Sequence, residues 1–512
     1  MKQRQKPVRR AAGTHDRLQH RERGPAADVD ALTAAAAAAA ERGDPSVLPR
    51  LERSLVAAAR TAPPGDPGLA AAIQAVLHAW VRCRQPARAL PFAAAVYAAQ
   101  GYERLASPEV LLRMAAGDLA GARRVAEELA DAPVRAGGHG LRAFVRELLG
   151  RYDAAARDGV AFHDEAVATA GKLAAWREVA RHYTPASAHL LAQFGAACAA
   201  VGQAFPEARP WRGEALNGEG VLLRLIEGYG DQLQGLRLAR SVRNAGGRVV
   251  VECDPPLVDL VRASGLADAV VARVGPATAL GGDVCRAVGD GLACYVVVGG
   301  RLHEAGIPPA RWPEGPYLGG PSPDLGADLP PEPLVVADLP RPRVGLLWAG
   351  NPRFPLEAIR ALPYDALARL VAATPHVSWV SLQLDDHPRV QELGRTPATR
   401  RVRPAGTTIR SFLDTARLMR HLDLVVATDS APVHLAGALG VPVWVLLSPS
   451  FDWRWGMEGE GTPLYGSVRL IRDGTRGDWN AAVGRVARDL DAGRGPGALR
   501  APGTPSRTGP SR

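Results

Sequence analysis

Apolar positions along this chain follow two regimes that meet near Trp211. From about residue 28 to about residue 201 alanine-rich apolar positions recur with helical period, broken by turns at Pro63-Pro64-Gly65 and Gly137-Gly138, with no convincing strand pattern. Beyond Trp211 short Val-, Leu- and Ile-rich runs alternate with helical stretches. The predicted strands are Val221–Ile226, Arg248–Cys253, Ala269–Ala272, Cys294–Val298, Val344–Trp348, Val377–Leu382, Leu424–Ala427, Val443–Leu447 and Val468–Ile471. Such runs suit strands buried on both faces of a parallel sheet. A Pro- and Gly-rich stretch from Pro308 to Pro342 splits them into two series, each sufficient for its own doubly wound sheet. The predicted class is α/β: a helical domain over residues 28–205, Rossmann-like domains over 211–340 and 341–492, and tails over 1–27 and 493–512.

Within the helical region the phrases Arg84 to Ala89, Gly117 to Ala122 and Gly150 to Ala155 recur every 33 residues. They resemble tetratricopeptide repeats, with Gly150, Tyr152 and Ala155 the fullest match and Arg84 and Pro86 departing at the Gly and aromatic positions. That resemblance implies a curved surface for a protein partner or self-association; a plain packed helical domain is the other reading.

The tightest functional signal runs from Asp423 to Leu447: a buried strand, the turn Thr428-Asp429-Ser430-Ala431-Pro432, a short helix carrying His434, then Gly440 and a second strand. Asp429 or Ser430 would cap the helix, Pro432 suits its first turn, and Gly440 suits the left-handed residue that ends it. A helix leaving the carboxyl edge of a parallel sheet turns its unpaired N–H groups toward anions, so a phosphate site is expected, with His434 a candidate contact. Helix starts of this kind are common, and a lone histidine is often structural.

An equivalent turn opens the first series, where Glu227-Gly228-Tyr229-Gly230-Asp231 follows a strand and precedes a helix. Gly228 and Gly230 allow close substrate approach. Asp231 is either a catalytic carboxylate or a helix cap. No third glycine follows, so this is not the dinucleotide fingerprint.

At 512 residues and 47% hydrophobic the chain has room for about three domains. The net charge of +10 is almost all arginine, lysine occurring only at Lys2, Lys6 and Lys172, and it gathers partly in the tails. No aromatic-interleaved basic motif marks a nucleic-acid function. Ala34 to Ala40 is too short to cross a bilayer and no signal-peptide pattern opens the chain, so no transmembrane segment and a cytoplasmic protein are expected. Cys83, Cys198, Cys253, Cys285 and Cys294 are scattered, with neither a disulfide framework nor a zinc pattern.

The segments Trp211 to Leu216, Glu227 to Gln234, Val344 to Pro352, Val380 to Gln383, Asp423 to Leu447 and Asp452 to Gly456, in that order, resemble glycosyltransferase family 9, in the variety that follows tetratricopeptide repeats in bacteria and is related to heptosyltransferases. The resemblance implies a GT-B fold with an acceptor on the first Rossmann-like domain and a nucleoside-diphosphate sugar on the second, and inverting transfer without metal or other cofactor. It implies Asp231 as general base, with Gly228, Tyr229, Gly230 and Gln234 on the acceptor side. Donor contacts would come from Gly350, Asn351, Thr428, Asp429, Ser430, Ala431 and His434, and from Arg454, which is also a phosphate candidate by its chemistry. Trp453 and Trp455 read as base-stacking residues or, more simply, as a plug between domains. Asp414-Thr415-Ala416 is expected to open a supporting helix. Partners implied are the nucleotide-sugar donor, a glycan, lipid-linked or protein acceptor, and a protein on the repeats. Arg353-Phe354-Pro355-Leu356 and Val297 to His303 depart from the family pattern and leave a non-catalytic scaffold as the alternative, with an epimerase behind it. No G-x-S-x-G surrounds Ser430, which argues against a hydrolase.

Overall fold

The computed structural model describes residues 29–493 apart from 63–65, 84, 100–106, 134–138, 170–184, 278, 290, 300–301, 314, 319–324, 326–332, 353, 355–356, 449–450 and 477. Most of both tails, Arg84, Gly300-Arg301, Arg353, Pro355-Leu356 and the side chains of His303 and Trp453 lie outside the described residues.

The helical region is α1 (Val29–Arg42), α2 (Leu48–Ala59), α3 (Pro67–Arg82), α4 (Pro86–Ala99), α5 (Ser107–Ala115), α6 (Leu119–Asp131), α7 (His139–Leu148), α8 (Tyr152–Thr169) and α9 (Pro185–Ala204). Helices α3, α5 and α7 end at Arg82, Ala115 and Leu148, while α4, α6 and α8 begin at Pro86, Leu119 and Tyr152. Both boundaries therefore advance by 33 residues, as the sequence phrases do. Gly117 and Gly150 make the turns at φ +79° and +75°, a conformation that suits glycine. Asp118 then caps α6 by accepting the Gly121 N–H at 2.9 Å.

The first sheet is parallel: β1 (Arg209–Pro210), β2 (Gly220–Leu225), β3 (Arg248–Cys253), β4 (Ala269–Ala272) and β5 (Leu292–Val298), in the order β1-β5-β2-β3-β4. Helices α10 (Tyr229–Gly235), α11 (Arg237–Asn244) and α12 (Val258–Ser264) pack one face through Leu233, Leu236, Val242 and Leu260; α13 (Gly282–Val288) lies on the other. That second face is finished by the helical array. Phe162 of α8 and Phe194, Ala197, Cys198 and Val201 of α9 fill one core with Leu222, Tyr295 and Val297. Arg224 of β2, fully buried, pairs with Glu252 of β3 and donates to the Ala197 carbonyl of α9 at 3.1 Å. The chain leaves its last array helix near residue 205, where a boundary was expected, yet the hydrophobic core continues across that point.

A connector containing α14 (Leu334–Ala337) leads to the second sheet: β6 (Arg343–Leu347), β7 (Ser378–Ser381), β8 (Arg403–Pro404), β9 (Leu424–Thr428), β10 (Val443–Leu446) and β11 (Val468–Ile471). Its order, β11-β10-β9-β6-β7-β8, is all parallel. This is the doubly wound arrangement in which winding reverses between β6 and β9, and ligands settle at the carboxyl end of such a switch point. Helices α15 (Glu357–Arg360), α16 (Tyr364–Ala373), α17 (Phe412–Met419), α18 (Ala431–Leu439) and α19 (Trp479–Asp491) complete it. The two-residue strands β1 and β8 escaped prediction because neither contains an apolar run.

Two local expectations change. Helix α17 is opened by Ser411, whose hydroxyl accepts the Asp414 N–H at 3.3 Å, so Asp414 to Ala416 already lie inside it. Ser430 occupies the cap position of α18 without a side-chain cap bond; its hydroxyl donates to the Thr428 carbonyl at 3.0 Å instead. Pro432 and Gly440 sit as predicted, Gly440 at φ +74°. Among the described residues no helix is long and apolar enough to cross a membrane.

Candidate active site at the facing sheet edges

In the first sheet the switch point falls between β2 and β5, so the turn after β2 is the position a ligand-directed carboxylate must take. Glu227 begins that turn at φ +69°, the one non-glycine residue with positive φ among the described residues. Backbone strain of this kind, about 1–3 kcal/mol, collects at functional turns. Helix α10 follows directly. Asp231, at its third position, accepts the Gly228 N–H at 3.0 Å through Oδ2. The cap reading of this residue therefore holds, and the same side chain has a second engagement.

Through Oδ1, Asp231 accepts a hydrogen bond from Arg454 Nη2 at 2.7 Å, and Arg454 Nη1 donates to Gln234 Oε1 at 3.0 Å. Arg454 also donates from Nε to Asp452 Oδ1 at 2.8 Å. Its guanidinium is thus shared by two carboxylates and an amide from both halves of the cleft. Gly230 is equally close to the opposite helix: a Cβ there would lie 2.9 Å from His434 Cδ2 and 3.5 Å from the Ala431 Cα. Only glycine lets the starts of α10 and α18 approach this far. At the rim, exposed Tyr229 meets Phe412 of α17 edge to face.

Behind this contact the two halves are welded. Arg237 of α11 is buried among Trp312, Tyr317 and Tyr465, and donates to the Leu464 carbonyl at 3.0 Å. His434 lies inside the same region, its Nδ1 3.0 Å from the Tyr465 hydroxyl and its ring stacked on Trp455. Burial first, then Arg454 and Arg237, push its pKa well below the usual histidine range. It is a neutral interdomain spacer in this structure, and Trp455 is a buried plug.

At the carboxyl edge of the second sheet several polar groups are buried with nothing to bind. Thr428 Oγ1 ends β9, Ser448 Oγ follows β10 and Gln383 Oε1 follows β7, and all three lack hydrogen-bond partners among the described residues. Each such group costs about 1–3 kcal/mol unless something meets it, and their common edge is where a polar ligand would do so. Asp429 lies beside them, buried; desolvation and the nearby Asp452 carboxylate raise its pKa, favouring the protonated acid. Burial opposes charge on Asp452 as well, but Arg454 holds its pKa below the ordinary value.

Gly350 and Asn351, after β6, flank the same switch point. The Gly350 N–H is taken by Glu357 and its carbonyl by His387 Nε2 at 2.9 Å. Asn351 is exposed. Sequence reading named Asp231, Arg454, Gln234 and the Thr428–His434 turn, and the structure brings these together. Gln383 and Ser448 were missed as site residues; position one residue past a predicted buried strand was the available signal.

Two Rossmann-type sheets turning their switch points toward a shared seam constitute a GT-B architecture. Residues 385–468, spanning the second half of this site, match the model of glycosyltransferase family 9 (heptosyltransferase). The chain is also similar to Protein FlbA of Caulobacter vibrioides, 33% identical over 180 residues, which cover 33% of this chain and 29% of that protein. The matched stretch thus spans less than a third of that relative's length. Among solved structures, ADP-heptose LPS heptosyltransferase II of E. coli is 16% identical, with a TM-score of 0.36, over 53% of this chain and 98% of that one. E. coli heptosyltransferase WaaC with ADP-2-deoxy-2-fluoro heptose is 13% identical, with a TM-score of 0.37, over 54% and 99%. A family 9 glycosyl transferase from Veillonella parvula is 12% identical, with a TM-score of 0.36, over 50% and 87%. The architecture rests on the strand orders above, not on these scores.

Proposed function

We propose that the chain is an inverting glycosyltransferase that moves a sugar from a nucleoside-diphosphate donor to an acceptor hydroxyl without a metal. The observation that carries this reading is the approach of Asp231 to the second sheet's switch point, where buried Thr428, Gln383 and Ser448 oxygens lack partners among the described residues. The donor would lie along that edge, its diphosphate against the first-turn N–H groups of α18. As the acceptor oxygen attacks the anomeric carbon, Asp231 takes its proton. Charge building on the departing diphosphate meets the α18 dipole and Arg454, both fixed in place before reaction. The repeated helix pairs would recruit the acceptor or a protein partner.

A second reading, nucleotide-sugar binding by a non-catalytic scaffold, is favoured by one observation: both Asp231 oxygens are already engaged, by Gly228 and Arg454. A panel of nucleoside-diphosphate sugars tested for thermal stabilisation, followed by a product assay with Asp231→Asn, separates the two. Transfer predicts a stabilising sugar nucleotide and a turnover loss of roughly 10²-fold or more in the variant. Stabilisation without product selects the scaffold, and equal turnover in both proteins removes Asp231 as base.

A further inference from the structure

The helical array reaches the second sheet at a place that no proposed role of its repeats requires. Helix α3 ends at Arg82 beside the loop that follows β6, and Ile359 of α15 is packed against the array's own hydrophobic core, which fixes the two bodies together. Between them is a cavity of about 170 Å³ lined by Arg82, Ala349, Pro352, Phe354, Glu357 and His387, with Pro388 and Arg389 closing it.

Among the described residues of this lining, Glu357 and Arg389 have ionic partners and Arg82 has none. Glu357 is held by Arg360 Nη2 at 2.8 Å and by the Gly350 N–H. Arg389 forms a pair with Glu392 at 2.8 Å. His387 accepts the Arg389 backbone N–H at Nδ1 and faces the Gly350 carbonyl with Nε2, so both ring nitrogens are engaged. Among the described residues Arg82 Nε is buried without a hydrogen-bond partner. The remaining walls, Pro352, Phe354 and Pro388, are apolar, with the Arg360 guanidinium over one face of the Phe354 ring at 4.4 Å.

We propose that this cavity is an anion subsite in which Arg82, supplied by the helical array, grips the phosphate or carboxylate carried by a sugar substrate. The proposal deepens the transferase reading and rests on it for the word substrate. It makes the array part of the binding cleft: the cavity begins at Ala349, directly before the Gly350-Asn351 turn of the donor half. A guanidinium binds either anion through paired N–H donors, which a lysine in its place could not reproduce.

The test is calorimetric titration of the full-length protein with inorganic phosphate and with glucuronate, each with and without a saturating nucleoside diphosphate. The wild type is expected to bind at least one probe while nucleotide is present, phosphate alone marking a phosphosugar and glucuronate alone a sugar acid. Arg82→Gln should weaken that binding tenfold or more, and Arg82→Lys by a smaller factor. Binding of neither probe, or equal binding by both variants and wild type, overturns the proposal. Should Arg82→Gln fail to melt cooperatively, Arg82→Lys decides alone, weaker binding supporting the subsite and unchanged binding removing it. If no nucleotide binds at all, the transferase reading falls, while the nucleotide-free titration still decides whether Arg82 holds an anion.

Discussion

Asp231 and Arg454 meet at 2.7 Å across the seam between the two sheets, one from the first turn of α10 and the other from the segment after β10. Arg454 is mostly buried, and Asp452 is its other carboxylate. Replacing it by glutamine leaves two acidic side chains in a desolvated seam without their counter-ion. Arg454→Gln should lower unfolding free energy by about 3 kcal/mol, as breaking a buried pair does. Adding Asp452→Asn should recover part of that loss. Urea midpoints that coincide for wild type and Arg454→Gln would show that this contact does not hold the halves together.

Gly230→Ala places a methyl group 2.9 Å from the His434 ring. His434 cannot yield easily, being fixed by Tyr465 and Trp455. The starts of α10 and α18 must separate instead. Stability should fall by about 1–3 kcal/mol, and turnover should fall further than nucleotide affinity, because Asp231 moves relative to the donor edge. Product assays with parallel nucleotide titrations measure the two effects separately.

The Leu424–Gly440 unit was readable because its signals are local: a run of buried aliphatics, a proline that tolerates a missing N–H, and a glycine at a left-handed position. Asp231 was readable for the same reason, as a carboxylate just past a strand end. Its pairing with Arg454 was not, since the two lie 223 residues apart and nothing in either neighbourhood encodes the contact. The burial of His434 was also hidden: the residues that enclose it, Tyr465 and Trp455, come from a segment beyond β10 whose path is set by tertiary packing. Likewise, the alanine-rich helical pattern of residues 28–201 gave helices there, but could not say that α8 and α9 would pack on a sheet.

Acidification should destabilise the fold in a defined window. Burial and the nearby Arg212 push His163 down to about 4, and burial with Arg454 and Arg237 pushes His434 far down. Both are neutral when folded, whereas the unfolded chain protonates its histidines near about 6.5. Between about pH 4 and 6.5 the unfolded state therefore holds more protons, and stability rises with pH by up to about 1.4 kcal/mol per unit for each histidine. Above that range this dependence disappears. Asp429, raised by burial, acts in the opposite sense and reduces the net slope. His163→Phe should lower the slope by close to one proton; urea titrations at about pH 5, 6 and 7.5 measure it, and an unchanged slope would show that His163 does not titrate as placed here.

A chain restricted to residues 206–493 should fail to form a cooperative native state. It would uncover Leu222, Tyr295 and Val297 and strip Arg224 of the Ala197 carbonyl, leaving a charged group facing water through a hydrophobic wall. Near-ultraviolet circular dichroism and calorimetry should show a molten profile for this fragment and a sharp transition for the whole chain. A sharp transition in the fragment would mean that α8 and α9 are dispensable.

The placement of α8 and α9 also has a mechanical meaning. Whatever tugs on the repeats tugs on the roof of β2, the strand whose end presents Asp231, with no slack tether to absorb the force. A load applied far along the array is therefore levered against the Asp231 turn through solid packing, and this protein is built as one tool rather than a handle strung to a blade.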